Sequence, residues 1–222
     1  MRQLAVLRPE PGNSTTAEAA RGRGFEVLQR PLFEIVALDW AAPDVALYDG
    51  LMLTSANAVR WAGESLPAMR SLPVLAVGEA TARAAAAAGF DVMMTGFAGA
   101  HDLLEHAGET FSRLLHLGGA QTTIVEAGAV ARSIAVYAAR TLTITLAEAA
   151  TLAGTTALLH SPRAAKALQK LLARAAIPRA ALRIACFSDA VATAAGGGWE
   201  GRAVAAHPTD AALLDAASTL FD

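Results

Sequence analysis

Cysteine is almost missing from this sequence. One residue, Cys186, occurs among 222. A lone cysteine excludes an intrachain disulfide and argues for a reducing compartment. It lies in the apolar run Ile184-Ala185-Cys186-Phe187 and reads as a buried strand residue, not a nucleophile. Lysine is as scarce, with only Lys166 and Lys170, both on one predicted helix, where they read as a solvated face. Charged residues make up 17% of the chain, against about 25% in ordinary globular domains. The net charge of −2 leaves no basic face for nucleic acid, because phosphate binding relies on clustered Lys and Arg. No uninterrupted apolar stretch approaches the ~18 residues of a membrane span. The Leu4–Leu7 run is too short for a signal peptide, so the cytoplasm is the expected address.

Chemical signatures are missing as well. There is no Gly-x-Gly-x-x-Gly after a strand, no P-loop, no His-Glu-x-x-His and no cysteine pair, so neither a bound cofactor nor a metal is expected. The five histidines form no metal-ligand spacing. His101 and His106 read as helix-surface residues, while His160 and His207 fall at strand ends. Asp49 and Glu79 read as turn or helix acids rather than a paired acid and base.

What is present is apolar residue, 54% of the chain and much of it alanine. That exceeds the usual ~45–50% and predicts close-packed helices around a sizeable core. Short β-rich runs alternate with helical segments. Leu4–Leu7 leads through Pro9 and Gly12 to Asn13-Ser14-Thr15-Thr16, which read as N-cap residues of a helix ending at Gly22 or Gly24. Strands are predicted at 25–29, 50–54, 74–77, 91–94 and 114–117, and helices from 55, over 79–88 and over 100–107. The alternation predicts α/β architecture with parallel sheets.

The chain also repeats itself. Val74-Leu75-Ala76-Val77-Gly78-Glu79-Ala80-Thr81-Ala82 resembles Ile184-Ala185-Cys186-Phe187-Ser188-Asp189-Ala190-Val191-Ala192, and at the same offset Leu103-Leu104 matches Leu213-Leu214. Earlier, Leu51–Val59 resembles Ala157–Ala165. Two copies of one α/β unit follow. The later copy lacks an equivalent of Leu114–Leu117, which the N-terminal Leu4–Leu7 strand and its helix can supply. One domain is therefore expected to be inserted into the other. Domain 1 is expected over 1–35 and 147–222, and domain 2 over 40–139. Residues 36–39 and 140–146 would be linker strands, with Arg140–Thr145 pairing against Phe33–Leu38. Ligands of open parallel sheets bind beyond the carboxyl ends of the strands, and the expected site is the cleft between the two domains. Here those ends carry Arg8, Thr54-Ser55, Gly78, Thr95-Gly96, Gly118-Gly119, His160-Ser161, Ser188 and Pro208-Thr209. Small residues at helix N-termini expose backbone N–H groups suited to anions, although ordinary helix capping favours the same residues.

Leu7-Arg8-Pro9, Tyr48–Val59 and Ala76–Ala82 are similar to the corresponding stretches of uroporphyrinogen-III synthases, as are Val136-Tyr137 and Pro208-Thr209. The ordered set covers nearly the whole chain. The resemblance implies two α/β domains joined by a two-stranded linker. It implies closure of linear hydroxymethylbilane to uroporphyrinogen III, with loss of water and inversion of ring D, without cofactor or metal. It further implies a monomer without nucleic-acid or membrane partners, and leaves room for transient contact with the upstream bilane-forming enzyme. By this resemblance Tyr137 helps the substrate hydroxyl to leave, since a phenol can donate a proton or a hydrogen bond, and Thr81 follows as a second catalytic residue. Arg8, Thr54, Ser55, Asn57, Gly78, Ser161, Ser188 and Thr209 are the expected substrate contacts. Val191 departs from the hydroxyl residue expected opposite Thr81. The competing expectation is a non-catalytic two-domain binding protein for an anionic metabolite.

Overall fold

The computed structural model describes residues 2–96, 99–107, 110–121 and 128–221. Its elements run β1 (Gln3–Val6), α1 (Gly12–Gly22), β2 (Glu26–Gln29), β3 (Phe33–Ala37), β4 (Gly50–Leu53), α2 (Ala56–Trp61), β5 (Val74–Val77), α3 (Glu79–Ala87), β6 (Val92–Gly96), α4 (Ala100–Ala107), β7 (Leu114–Gly119) and β8 (Val130–Thr141). They continue α5 (Leu146–Ala150), β9 (Thr156–Leu159), α6 (Pro162–Arg174), β10 (Arg183–Cys186), α7 (Asp189–Ala195), β11 (Gly201–Val204) and α8 (Asp210–Ser218).

Two compact units result. One runs through Glu34 and resumes at Thr141; the other is Ile35–Arg140. The first holds a five-stranded sheet in the order β11-β10-β9-β1-β2, and the second sheet has the order β3-β8-β7-β4-β5-β6. Apart from β3, the strands pair in parallel. Set side by side, β4, β5 and β6 take the places of β9, β10 and β11, and β7 and β8 take those of β1 and β2. The sequence repeat thus has a structural counterpart: β5 with α3 matches β10 with α7. Strand β1, met first along the chain, fills the place that β7 fills in the other sheet.

Burial on both sheet faces explains why the strands read as continuous apolar runs. In the second unit Leu51, Leu53, Val74, Ala76, Leu115 and Leu117 pack against α2 and α3 residues such as Ala58 and Ala85. The alternate residues Met52, Leu75 and Leu114 face Leu103, Ala107 and Phe111. In the first unit Leu4, Val6, Leu158 and Ala185 pack against α1 and α8 through Ala17, Ala20, Leu213 and Leu214. Each fully buried leucine contributes about 1.5–3 kcal/mol.

Several local expectations need correction. Asn13 is not an N-cap: α1 begins at Gly12, and Asn13 is fully buried. Its amide donates to the carbonyls of Val6 and Arg8 at 2.9 and 2.8 Å and accepts from Gln29 at 3.0 Å. The Glu10 carboxylate caps the helix instead, accepting from the Ser14 N–H at 3.0 Å. The strand expected over Arg140–Thr145 begins earlier and ends at Thr141. Thr145 is the N-cap of α5, in a reciprocal capping box with Glu148. The partner of β3 is therefore the C-terminal part of β8. The Leu38 N–H donates to Val136 O and the Leu142 N–H to Leu32 O, both at 3.0 Å, which makes this pair antiparallel. Both passages of the chain between the units fall in this pair. Among the described residues no helix is long and apolar enough to cross a membrane.

Candidate active site

In each sheet the strand order reverses at one place, between β1 and β9 in the first unit and between β7 and β4 in the second. Ligand crevices of open parallel sheets lie outside the carboxyl ends at such points. The residues at these two ends differ in character.

In the second unit Thr54 follows β4, and its hydroxyl lies 3.0 Å from His116 Nε2. The other ring nitrogen of His116 lies 2.7 Å from Ser133 Oγ. His116 is 1% exposed, and this burial lowers its pKa to about 4, so the ring is neutral at pH 7. Sequence reasoning gave His116 no role, since it stands within an apolar strand run. It stitches β4, β7 and β8 together directly beneath the carboxyl edge. Ser55 caps α2 and accepts from the Asn57 N–H at 3.2 Å. Gly78 precedes α3 at φ 81° and ψ 149°, a backbone state that favours glycine. Thr81 sits in the first turn of α3, and at 4% exposure it is buried like its counterpart Val191 at 2%. Its hydroxyl has no hydrogen-bond partner among the described residues.

Tyr137 is set by two features of β8. The pairing of β7 with β8 shifts between Gly118 and Gly119, so that Gly118 faces Ala135 but Gly119 faces Tyr137. Such a bulge re-aims side chains. The Tyr137 ring then lies on Gly119. A Cβ at Gly119 would come within 2.8 Å of Tyr137 Cζ and 3.0 Å of its hydroxyl, so only glycine admits the ring there. The ring is half-buried against the core face that holds Val136 and Leu117.

In the first unit the carboxyl end carries charge. Arg8 follows β1 and donates from Nη1 to both carboxylate oxygens of Asp210, at 3.0 and 3.2 Å. Thr16 donates to the same carboxylate at 2.7 Å, and His160 Nε2 lies 3.2 Å from it. Burial alone would raise the Asp210 pKa. The hydrogen bonds from His160 and Thr16, with the Arg8 charge, outweigh that and hold it at about 2. Burial lowers the His160 pKa against the pull of Asp210, so His160 is a neutral donor at pH 7. Arg8 is therefore engaged within its own unit. Asp210 was not singled out in the sequence, and Thr16 was read there only as a helix-capping residue. Ser161 and Thr209 cap α6 and α8 through their side chains. Ser188 precedes α7 without a side-chain cap bond.

The structure thus gathers Arg8, His160-Ser161 and Thr209-Asp210 at the carboxyl end of one sheet. At that of the other sheet it sets Thr54-Ser55, after β4, beside β7 with Gly118-Gly119, and Tyr137 follows on the next strand, β8. Ser188 and Gly78 lie one strand further out, after β10 and β5. His101 and His106 are exposed, and Cys186 is fully buried, with its thiol pKa pushed up to about 11 by burial. Among the described residues no group of three or more His, Cys, Asp or Glu is placed to hold a metal ion.

A family model described as uroporphyrinogen-III synthase HemD matches residues 14–215. Among solved structures, the uroporphyrinogen-III synthetase of Helicobacter pylori superposes with a TM-score of 0.66 at 16% identity, covering 99% of this chain and 100% of that one. A mutant uroporphyrinogen III synthase of Thermus thermophilus gives 0.60 at 15% identity, covering 100% and 99%. No curated protein sequence matches the chain.

Proposed function

The chain belongs to the uroporphyrinogen-III synthase family, and from that membership we propose that it closes linear hydroxymethylbilane to uroporphyrinogen III in the cytoplasm. The observation that carries this reading is the family match over most of the chain. The reaction joins the two ends of the bilane, expels its hydroxyl as water and inverts ring D. Because the bilane also closes spontaneously without inversion, the protein's task is to promote hydroxide departure and direct attack to the substituted carbon of ring D, through a spiro intermediate. Proximity and orientation are the main tools for such a step. The eight carboxylates of the substrate suit dispersed N–H and hydroxyl donors at helix N-termini. Ser55, Asn57, Gly78, Ser161, Ser188 and Thr209 are assigned to that work, with Thr54 beside them. Tyr137 is assigned to hydrogen-bond the leaving hydroxyl. Thr81 and Arg8 take lesser parts, because one is buried and the other is held by Asp210.

A coupled assay that supplies hydroxymethylbilane and separates type I from type III product tests the reaction. Type III product above the spontaneous background is expected; type I alone would leave the binding-protein reading. Tyr137→Phe keeps the ring and removes the hydroxyl. General-acid help is typically worth ~10²–10⁴-fold, and a reactive substrate needs less, so a fall in kcat of about tenfold is expected. Gly119→Ala reaches the same group indirectly, since its new methyl must push the ring aside. It should lower kcat at least as far, while leaving the melting transition cooperative. Wild-type kinetics in both variants would reduce Tyr137 to a packing residue.

A further inference from the structure

Both lysines of the chain stand at one cavity, and it lies at neither strand-end site. The cavity has a volume of about 520 Å³ and is lined by residues of the first unit alone. This is within the ~300–1,000 Å³ range of small-molecule sites. Its floor is apolar: Leu32, Phe33 and Ile144 are buried, and Leu142 is half-buried. One wall is α6, which presents Arg163, Lys166, Lys170 and Arg174 to it. Among the described residues no acidic one lines the cavity, and α6 itself contains none.

That charge pattern calls for an explanation. Four cations spaced three or four apart share one face of a single helix, in a chain whose net charge is −2. Like charges at this spacing repel and destabilise the helix. The two arginines are used in building the cavity. Arg163 lies over the Phe33 ring, 4.5 Å from its centroid, and Arg174 donates to the Ile144 carbonyl. The two lysines have no hydrogen-bond or ion-pair partner among the described residues. Both lysines are exposed, so their side chains border the apolar floor from the solvent side.

We propose that this cavity binds a small amphipathic anion: an apolar body bearing at least two acidic groups, the body on Leu32, Phe33, Leu142 and Ile144 and the acids on Lys166 and Lys170. None of these residues is among those assigned to the ring closure. The occupant would also brace α6 against both strands through which the chain passes between its units, since Phe33 lies in β3 and Thr141, another lining residue, ends β8.

The test uses 8-anilinonaphthalene-1-sulfonate, whose fluorescence reports an apolar body bound beside a cation, with the full chain in low salt. Saturable binding is expected. Benzene-1,3,5-tricarboxylate and 1-naphthyl phosphate, in separate arms, should displace the dye, and the stronger competitor distinguishes a carboxylate from a phosphate ligand. Inorganic pyrophosphate, which has charge without an apolar body, should compete poorly. Lys166→Gln/Lys170→Gln should weaken dye and competitor binding on the order of tenfold, the equivalent of one lost charge-assisted contact. It should melt no lower than the parent, because glutamine is as good a helix former and the repulsion is gone. Arg21→Gln/Arg83→Gln, which removes the same charge elsewhere, should bind as the parent does. Equal binding by the lysine double variant, equal loss in the arginine control, or displacement by pyrophosphate as strong as by the tricarboxylate would each overturn the proposal.

Discussion

Lowering the pH from 6.5 to 4 should remove about 3 kcal/mol of stability from the unit formed by Ile35–Arg140, through His116 alone. The imidazole is fixed between Thr54 and Ser133 and is 1% exposed. Its folded pKa lies near 4, below the ordinary 6.5. The unfolded chain therefore takes up a proton near pH 6.5 that the folded chain refuses until near 4. The stabilisation is complete above 6.5 and declines through that window as the pH falls. Trp40 and Trp61 both lie in this unit and report its unfolding. Denaturant midpoints followed through their fluorescence should drop steadily between pH 6.5 and 4. In His116→Gln, where nothing titrates at that place, the slope should flatten. Identical slopes in the two proteins would remove His116 from the account.

Asp210→Ala should cost the other unit about 3 kcal/mol, toward the lower end of what breaking a buried charge pair costs. The carboxylate accepts from Arg8, Thr16 and His160 together, and its side chain is 25% exposed. Removing it leaves a half-buried guanidinium and a buried imidazole without their acceptor. Asp215→Ala is the control. Asp215 also pairs with an arginine, Arg23, but at 72% exposure, and such surface pairs are worth ~0–1 kcal/mol. The Asp210 contribution has its own pH signature. Its folded pKa of about 2 lies below the ordinary 3.8, so the stabilisation is present above pH 4 and is lost as the pH falls toward 2. Equal melting temperatures for the two alanine variants would show that the cluster around Asp210 adds nothing beyond surface pairing.

Legibility in the sequence followed the range of the interactions. The strands β4, β5, β7 and β10 were visible because burial on both faces leaves short apolar runs bounded by Gly, Ser and Thr. The repeat was visible because β5-α3 and β10-α7 keep the same order of apolar, small and acidic residues. Strand β8 was not, apart from its last residues. Its stretch Val130–Thr141 carries arginines and alanines on partly exposed faces, which gives neither a clean alternation nor a continuous run. Asn13 misled because asparagine favours N-caps, and only the fold reveals that its amide closes off the end of β1. Arg8 and Asp210 are 202 residues apart, and nothing local in the chain announces that they meet. His116 is a similar case, since its partners come from two other strands. Lys166 and Lys170 form the solvated face that the sequence suggested, since both are exposed; the apolar floor brought up beside them by Leu32, Phe33, Leu142 and Ile144 was not legible, because it comes from distant stretches of the chain.

The place of β1 in its sheet has a consequence for how the molecule comes to be made. During synthesis β1 and α1 emerge early, but Leu4 pairs with Thr156, so the central partner of β1 arrives about 150 residues later. Until then the amphipathic α1 and one edge of β1 wait without cover. Strands β4 to β8, by contrast, emerge consecutively, and their sheet can close before any of β9 exists. Once it closes, the Leu38–Val136 hydrogen bond holds the two ends of the inserted segment together. The tether between β1 and β9 then shortens from about 150 residues to about 54, which lowers the entropic cost of closing it by about 1 kcal/mol. The inserted unit acts as a clasp for the chain around it. Slow folding of Ile35–Arg140, for whatever cause, should delay the other unit and prolong exposure of β1, the strand edge best placed to pair with a second nascent chain.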